Sequence, residues 1–189
     1  EPISEFMNVV REKYSDKVNL EFFEVAISSS AGTSILNIAS NNGASSSILQ
    51  PKEILKVLPE IKFLDRVIVK TETLDNLRKW DNAKNIYLKL DLQGNEYEAL
   101  IGSNELLKKV KIIEIECSFS PLYEAEIPFH KTFEYLVNLG FEHYQSSPAR
   151  IDANQLWVDC AIEPVKAVEF IYIPLRLKNT GAIKGLGSK

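Results

Sequence analysis

The feature that most constrains the fold is a strand–turn–helix–strand unit in the middle of the chain. Residues 85–92 (NIYLKLDL) form an apolar run that is typical of a buried strand, and Gln93 and Gly94 then allow a turn into an amphipathic helix. Residues 111–119 (KIIEIECSF) form the next apolar run. Two strands that flank a helix usually pair in parallel within one sheet, so this unit predicts an α/β domain.

Further predicted elements extend this unit in both directions. The predicted elements are helices from Ser4 and over residues 129–139, and strands over residues 19–28, 33–39, 63–71, 141–146 and 156–163. A turn at Ala31 and Gly32 is expected to join the first two strands into a hairpin, and the last two strands are expected to form another. Gly140 is expected to end the preceding helix. The order predicts a mostly parallel sheet with an antiparallel hairpin at its C-terminal end.

Length and charge limit the classes of function. The 189 residues fit one domain, and 45% hydrophobic with 25% charged residues is ordinary for a globular protein. The net charge of −4 argues against a nucleic-acid partner, and no apolar run is long enough to predict a membrane span or a secretory signal. We expect a domain over residues 1–175 and a flexible basic tail over residues 176–189, which has four basic and no acidic residues.

The two cysteines do not indicate a disulfide framework or a metal site. Cys117 and Cys160 each lie in an apolar, strand-like run, so both are expected to be reduced and buried. Reduced cysteines favour a cytoplasmic location. Histidine, cysteine and carboxylate residues nowhere show metal-ligand spacing, so we predict no metal.

Polar residues at the ends of the predicted strands are the candidate ligand-binding residues. Ligands of open parallel sheets bind outside the carboxyl ends of the strands. Asp91 stands at such an end and could accept a hydrogen bond from an amine or a hydroxyl. Glu114 and Glu116 share one strand face; either this face opens onto the ligand crevice, or a lysine pairs with a carboxylate. The serine run 45–47 could close over the site, but its lack of periodicity favours a simple exposed loop.

Several segments occur in a recognisable order. The strongest covers residues 87–102 (YLKLDLQGNEYEALIG), and residues 113–123 (IEIECSFSPLY) follow. The other segments are residues 24–28 with Gly32, 44–49 (ASSSIL), 73–75 (TLD), 139–141 (LGF) and 159–162 (DCAI). Together they resemble the FkbM family of S-adenosylmethionine-dependent methyltransferases over roughly residues 1–163.

The resemblance implies a Rossmann-like class I methyltransferase fold with S-adenosyl-L-methionine as cofactor. It implies that Glu1 binds the ribose, that Ala26 and Ile27 lie against the adenine, and that Asp91 lies beside the methionine portion and the methyl acceptor. The implied reaction is O-methylation of a hydroxyl on a small molecule or glycan. The family's first strand and glycine-rich turn would precede Glu1, so the chain by itself is expected to be a poor enzyme.

Methyl transfer needs the methyl donor and the acceptor to be aligned, and a hydroxyl acceptor benefits from a base that takes its proton. Asp91 is the candidate catalytic residue, as base or as cofactor-orienting group; the alternative is that it only caps the next helix. The candidate acceptor-binding residues are Gln93, Glu116, Ser118, Tyr123 and His130. For Tyr123 the alternative is a packed core residue, and for His130 it is a solvent-exposed helix residue.

Two other functions compete with the enzyme. A non-catalytic binding module or inactive fragment is consistent with the absent glycine-rich turn, whereas the retained segment from Asp91 to Gly94 argues against it. A nicotinamide-dependent oxidoreductase would need a helix with lysine four residues after a tyrosine, and Tyr97, Tyr123 and Tyr135 lack that lysine. The identity of the acceptor and the oligomeric state, including a homo-oligomer, stay open.

Overall fold

A computed structural model describes residues 1–148 and 167–174. The predicted strand over residues 156–163, Cys160 and the basic tail lie outside these residues. The helices are α1 (Ser4–Lys13), α2 (Ile54–Val57), α3 (Leu74–Leu77), α4 (Glu96–Ile101), α5 (Asn104–Leu107) and α6 (Phe129–Asn138). The strands are β1 (Ala26–Ile27), β2 (Gly32–Ala39), β3 (Phe63–Glu72), β4 (Ile86–Leu90), β5 (Val110–Ser118), β6 (Phe141–Pro148) and β7 (Ala167–Pro174).

The described strands form two mixed sheets, so the prediction of one mostly parallel sheet was wrong. One sheet has the order β1-β3-β2 and the other the order β4-β5-β7-β6. The β1–β3 and β4–β5 pairs are parallel, whereas β2–β3, β5–β7 and β6–β7 are antiparallel. The parallel pairing expected around the central helix is confirmed for β4 and β5. Each sheet is mixed because it contains one parallel pair beside antiparallel pairing. β3 lies between β1 and β2, and β7 lies between β5 and β6.

The hairpin predicted at Ala31 and Gly32 does not form. Instead β2 pairs along its whole length with β3, from Gly32 opposite Thr71 to Ala39 opposite Phe63. The predicted strand over residues 19–28 is reduced to β1, whose two residues pair with the end of β3. Within the described chain, residues 19–25 have no strand beside them, and an apolar run without a partner is not a strand.

The main core lies on one face of the second sheet. Leu88 and Leu90 of β4 and Ile113 and Ile115 of β5 point to this face and pack with buried residues of α4, α5 and α6. The opposite face is polar, and Tyr87 is 54% exposed there. β4 therefore alternates between a buried and an open face, and is not covered on both faces as its apolar run suggested.

The C-terminal elements follow the sequence pattern closely. α6 begins and ends within one residue of its predicted bounds, and Gly140 follows it with a left-handed φ of 84°. β6 pairs antiparallel with β7, which starts four residues after the segment predicted as its partner. Among the residues described, there is no helix whose length and apolarity would let it cross a membrane.

Candidate functional site

The carboxyl end of β4 leads into a tight turn that presents Asp91. Gln93 and Gly94 both adopt left-handed backbone conformations, with φ of 54° and 99°. A Cβ atom on Gly94 would lie 3.1 Å from the ring of Tyr123 and 3.2 Å from the side chain of Leu49. Glycine is therefore required at position 94 both by the backbone and by the close approach of two other loops.

The side-chain amide of Gln93 connects the ends of β4 and β5. Its Nε2 donates to Oδ1 of Asp91 at 3.0 Å and to Oε2 of Glu116 at 3.1 Å. Each hydrogen of the amide is thus used by one carboxylate. Asp91 is exposed, and its second oxygen accepts no hydrogen bond from any residue within the described ranges. This oxygen is open to a ligand.

Tyr123 fixes the other end of the same amide. Its hydroxyl lies 3.1 Å from Oε1 of Gln93 and 2.9 Å from the carbonyl oxygen of Ser45, both hydrogen-bond acceptors. The side chain is only 2% exposed, and burial, followed by the nearby charges of Glu126 and Glu116, raises the pKa of its hydroxyl. Tyr123 is therefore a neutral donor near neutral pH, and the packed-core interpretation describes its position.

The serine loop closes against this turn. The hydroxyl of Ser47 donates to the carbonyl oxygen of Gln93 at 2.7 Å, and both Ser45 and Ser47 are buried. Asn37 of β2 donates to the carbonyl oxygens of Ser47 and Leu49, which holds the loop in place. The expectation that residues 45–47 simply fill an exposed loop was wrong, because their polar groups bond to distant parts of the chain.

Two buried carboxylates, Glu96 and Glu126, lie beneath the turn. Glu96 accepts the backbone N–H groups of Leu92, at 2.6 Å, and Gly94, at 3.1 Å. Burial raises the pKa of Glu96 to about 7, although these N–H groups lower it; the charge of Glu126 raises it further. Glu126 accepts the N–H groups of Leu122 at 2.6 Å and Tyr123 at 3.0 Å.

The sequence reasoning missed both carboxylates. Glu96 carried a usable signal, because an acidic residue in the first turn of a helix often accepts backbone N–H groups. No sequence signal predicted the role of Glu126, because it lies in an irregular segment between β5 and α6 with no pattern around it.

The end of β1 lies next to the same turn. Asn95, just after Gly94, donates from Nδ2 to the carbonyl oxygen of Ile27 at 2.7 Å. Ala26 is buried, and Ile27 is half-buried against the main core. The structure therefore brings the predicted adenine-binding pair to the sheet end that carries Asp91. Their contact with adenine stays a prediction.

Glu114 and Glu116 share a strand face, as predicted, but have different surroundings. Glu114 accepts hydrogen bonds from Tyr87 and from Lys89, the latter at 2.9 Å. The Tyr87 hydroxyl, followed by Lys89, lowers the pKa of Glu114. The pairing with a lysine is thus seen at Glu114, whereas Glu116 joins Gln93 and Asp91 at the sheet end.

Three predicted site residues lie apart from this cluster. Ser118 is buried at the end of β5, and His130 is exposed in the first turn of α6. Neither side chain is hydrogen-bonded to Asp91 or Gln93 in the part of the chain described. Glu1 lies at the start of α1, where its Oε1 accepts the N–H of Ile3 at 2.8 Å. Its ribose-binding role stays a prediction.

The described residues hold no cluster of histidine, cysteine and carboxylate groups that could bind a metal ion. Cys117 is a buried free thiol, and burial raises its pKa, so it is a poor nucleophile. At the end of the parallel strand pair, the described residues place one exposed carboxylate, that of Asp91, which is bonded to the Gln93 amide.

Comparison with known proteins identifies the family of the chain. Residues 5–143 match the methyltransferase FkbM domain, a region that contains Asp91, Gln93, Glu116 and Tyr123. The chain belongs to the FkbM methyltransferase family.

A curated relative of this FkbM chain is the 2-O-methyltransferase NoeI of Sinorhizobium fredii. The two are 29% identical over 153 residues, which cover 77% of this chain and 62% of NoeI. The FkbM chain thus spans less than two thirds of that relative. No solved structure matches it.

Proposed function

We propose that this FkbM protein transfers a methyl group from S-adenosyl-L-methionine to a hydroxyl group of a small molecule or glycan. The family match supports methyl transfer, and the name of the relative, a 2-O-methyltransferase, supports an oxygen acceptor. The proposed fold is the Rossmann-like class I arrangement, supported by the parallel β4–β5 pair and its helical connection. The free buried thiol of Cys117 supports a cytoplasmic location.

The residues at the sheet end fit the proposed cofactor. S-adenosyl-L-methionine supplies an electrophilic methyl group on a positively charged sulfonium. Asp91 and Glu116 are joined by one amide and make this end acidic, which suits a cation with a hydrogen-bonding amino group. Ala26 and Ile27 offer apolar surface for the adenine, and Glu1 is the proposed ribose ligand.

Asp91 is the proposed catalytic residue. Oδ1 accepts a hydrogen bond from the Gln93 amide, and Oδ2 of this exposed carboxylate is the oxygen proposed to take the proton of an acceptor hydroxyl. Gln93 and Glu116 form the proposed inner wall of the acceptor site, and the buried Tyr123 contacts Gln93 rather than the acceptor. Ser118 and His130 could reach the acceptor only from outside this cluster. The single observation that carries the proposal is the amide-held Asp91 carboxylate at the end of β4.

The test is to mix the protein with S-adenosyl-L-methionine and a panel of neutral oligosaccharides and small alcohols. Mass spectrometry then measures S-adenosylhomocysteine and the methylated product. Product that gains one methyl group on oxygen supports the proposal. Calorimetric binding of S-adenosylhomocysteine without turnover on any acceptor would instead support the binding module, and absence of both would contradict cofactor use.

A further inference from the structure

The loops that follow β4 and β5 are each held from below by one buried carboxylate. Glu96 is 6% exposed and holds residues 92–94 through two backbone N–H groups. Glu126 is 7% exposed and holds residues 122–123 in the same way. A carboxylate needs such bonds when it is buried, so each acid makes the conformation of its loop specific.

The two loops also touch each other. A Cβ on Gly94 would lie 3.1 Å from the Tyr123 ring and 3.3 Å from Cγ of Glu126, so the backbone of one loop packs on side chains of the other. The negative charge of Glu126 acts on Glu96, which shows that the two acids are close enough to interact. A shift of either acid would therefore move the contact between the loops.

This contact sets the position of the Gln93 amide. Tyr123, whose N–H is held by Glu126, presents its hydroxyl to Oε1 of Gln93. The opposite end of the amide then faces Asp91 and Glu116. An amide in the reversed orientation would place its oxygen against two carboxylates, which offer it no hydrogen.

We propose that Glu96 and Glu126 are positioning residues, which lock the loops after β4 and β5 together and so hold the Gln93 amide between Asp91 and Glu116. This role rests on the proposed function, because it acts on the carboxylate that we assign to catalysis. Neither acid touches the open side of Asp91, so neither is catalytic.

The experiment compares Glu96→Gln and Glu126→Gln with a matched control. Asp75→Asn is the control, because Asp75 also accepts two backbone N–H groups, those of Glu105 at 2.9 Å and Leu106 at 2.8 Å, but holds α5 rather than the two loops. All three variants weaken a carboxylate anchor of the backbone. Circular dichroism and thermal unfolding first establish that each variant is folded.

The first readout does not need turnover. Solvent exchange of the Gln93 side-chain amide is followed by ¹⁵N–¹H NMR, with Gln93→Ala to assign the signal and the exposed Gln50 as internal reference. In the wild type, the Gln93 amide should exchange more slowly than that of Gln50, because both of its hydrogens are bonded. Glu96→Gln and Glu126→Gln should speed this exchange several-fold, and Asp75→Asn should not.

The second readout is kinetic. In the two loop variants kcat should fall roughly tenfold to a hundredfold, as expected when a reacting group is misplaced by about 1 Å, while KM for S-adenosyl-L-methionine changes less. Asp75→Asn should lower the unfolding temperature and leave kcat near the wild-type value. A protected Gln93 amide in the wild type, with faster exchange in Glu96→Gln and Glu126→Gln but no methyl transfer by the wild type, would contradict the proposed function and support only the locking of the two loops.

Unchanged amide exchange and unchanged kcat in folded Glu96→Gln and Glu126→Gln would overturn the inference and make both acids purely structural. If neither variant folds, Tyr123→Phe tests the contact through which the two acids are proposed to act, since it removes the hydroxyl that reaches Oε1 of Gln93 and the carbonyl oxygen of Ser45. Faster exchange of the Gln93 amide in that variant supports the inference, and unchanged exchange overturns it.

Discussion

The hydroxyl of Tyr123 lies 3.1 Å from Oε1 of Gln93, although the two residues are 30 positions apart in the chain. This contact joins the loop after β5 to the turn after β4. Nε2 at the opposite end of the same amide bonds Asp91, so Tyr123 is connected to the candidate catalytic carboxylate through Gln93 without touching it.

Tyr123→Phe should therefore impair catalysis more than it impairs folding. Loss of the hydroxyl removes the donor that lies near two acceptors, the side-chain oxygen Oε1 of Gln93 and the backbone carbonyl oxygen of Ser45. This loss should lower the free energy of unfolding by about 1–2 kcal/mol. Denaturant titration and initial rates of methyl transfer measure the two effects. The matched control is Tyr87→Phe, because Tyr87 donates to Glu114 on the exposed sheet face. Equal rates in the two variants would argue against a role for the Tyr123 contact.

Asp91→Asn should abolish methyl transfer while it preserves the turn. Asparagine keeps an oxygen for the Gln93 amide but cannot take a proton, so kcat should fall by roughly 10²–10⁴-fold. Asp65→Asn is the control, since Asp65 is an exposed strand carboxylate that accepts the N–H of the neighbouring Arg66 and, within the described chain, no other hydrogen bond. Turnover of Asp91→Asn at the wild-type rate would remove Asp91 from the mechanism.

Gly94→Ala should destabilise the protein more than Gly140→Ala. Both glycines have positive φ, so both variants carry the left-handed backbone cost of about 1–2 kcal/mol. A Cβ on Gly140 meets no atom within 4 Å, whereas one on Gly94 would crowd Tyr123, Leu49 and Glu126. Chemical denaturation of the two variants isolates this difference. Equal losses of stability would mean that the loops around Gly94 move to make room for the Cβ at no cost in free energy.

The ionisation of Glu96 should make stability depend on pH. Its pKa is about 7 in the folded chain against the ordinary value of 4.5, so the folded state binds the proton more tightly than the unfolded state. The contribution of Glu96 to the free energy of unfolding should be fully present below pH 4.5 and be lost as pH rises through about 7, in total about 3 kcal/mol.

Glu96→Gln removes this titration, and the difference in unfolding free energy between wild type and variant isolates it. The titratable groups that interact with Glu96 are Cys117, Tyr123 and Glu126, and all of them remain in the variant. A difference that stays constant from pH 4.5 to pH 7.5 would show that Glu96 is ionised throughout.

The sequence predicted the elements whose patterns are local. β5 and α6 were placed to within one residue, because the apolar run and the helical stripe are each read from consecutive positions. Asp91 and Glu116 were placed near strand ends in the same way, and their role in binding a ligand stays a prediction.

What the sequence could not supply is pairing between distant segments. β2 bonds to β3 across a connection of 23 residues, and no local signal distinguishes that partner from the nearer β1. For the same reason the burial of Ser45 and Ser47 was missed: their partners, Tyr123 and Gln93, come from other loops.

The positive φ of Gln93 has a consequence for how the protein tolerates change. A side chain in this backbone region costs about 1–2 kcal/mol, which glycine would avoid, yet position 93 carries glutamine. Stability is thus traded for an amide at one defined place. Glycine at position 93 would stabilise the turn but would remove the amide that bonds Asp91 and Glu116. Selection for thermal stability and selection for the proposed activity therefore favour different residues at this position.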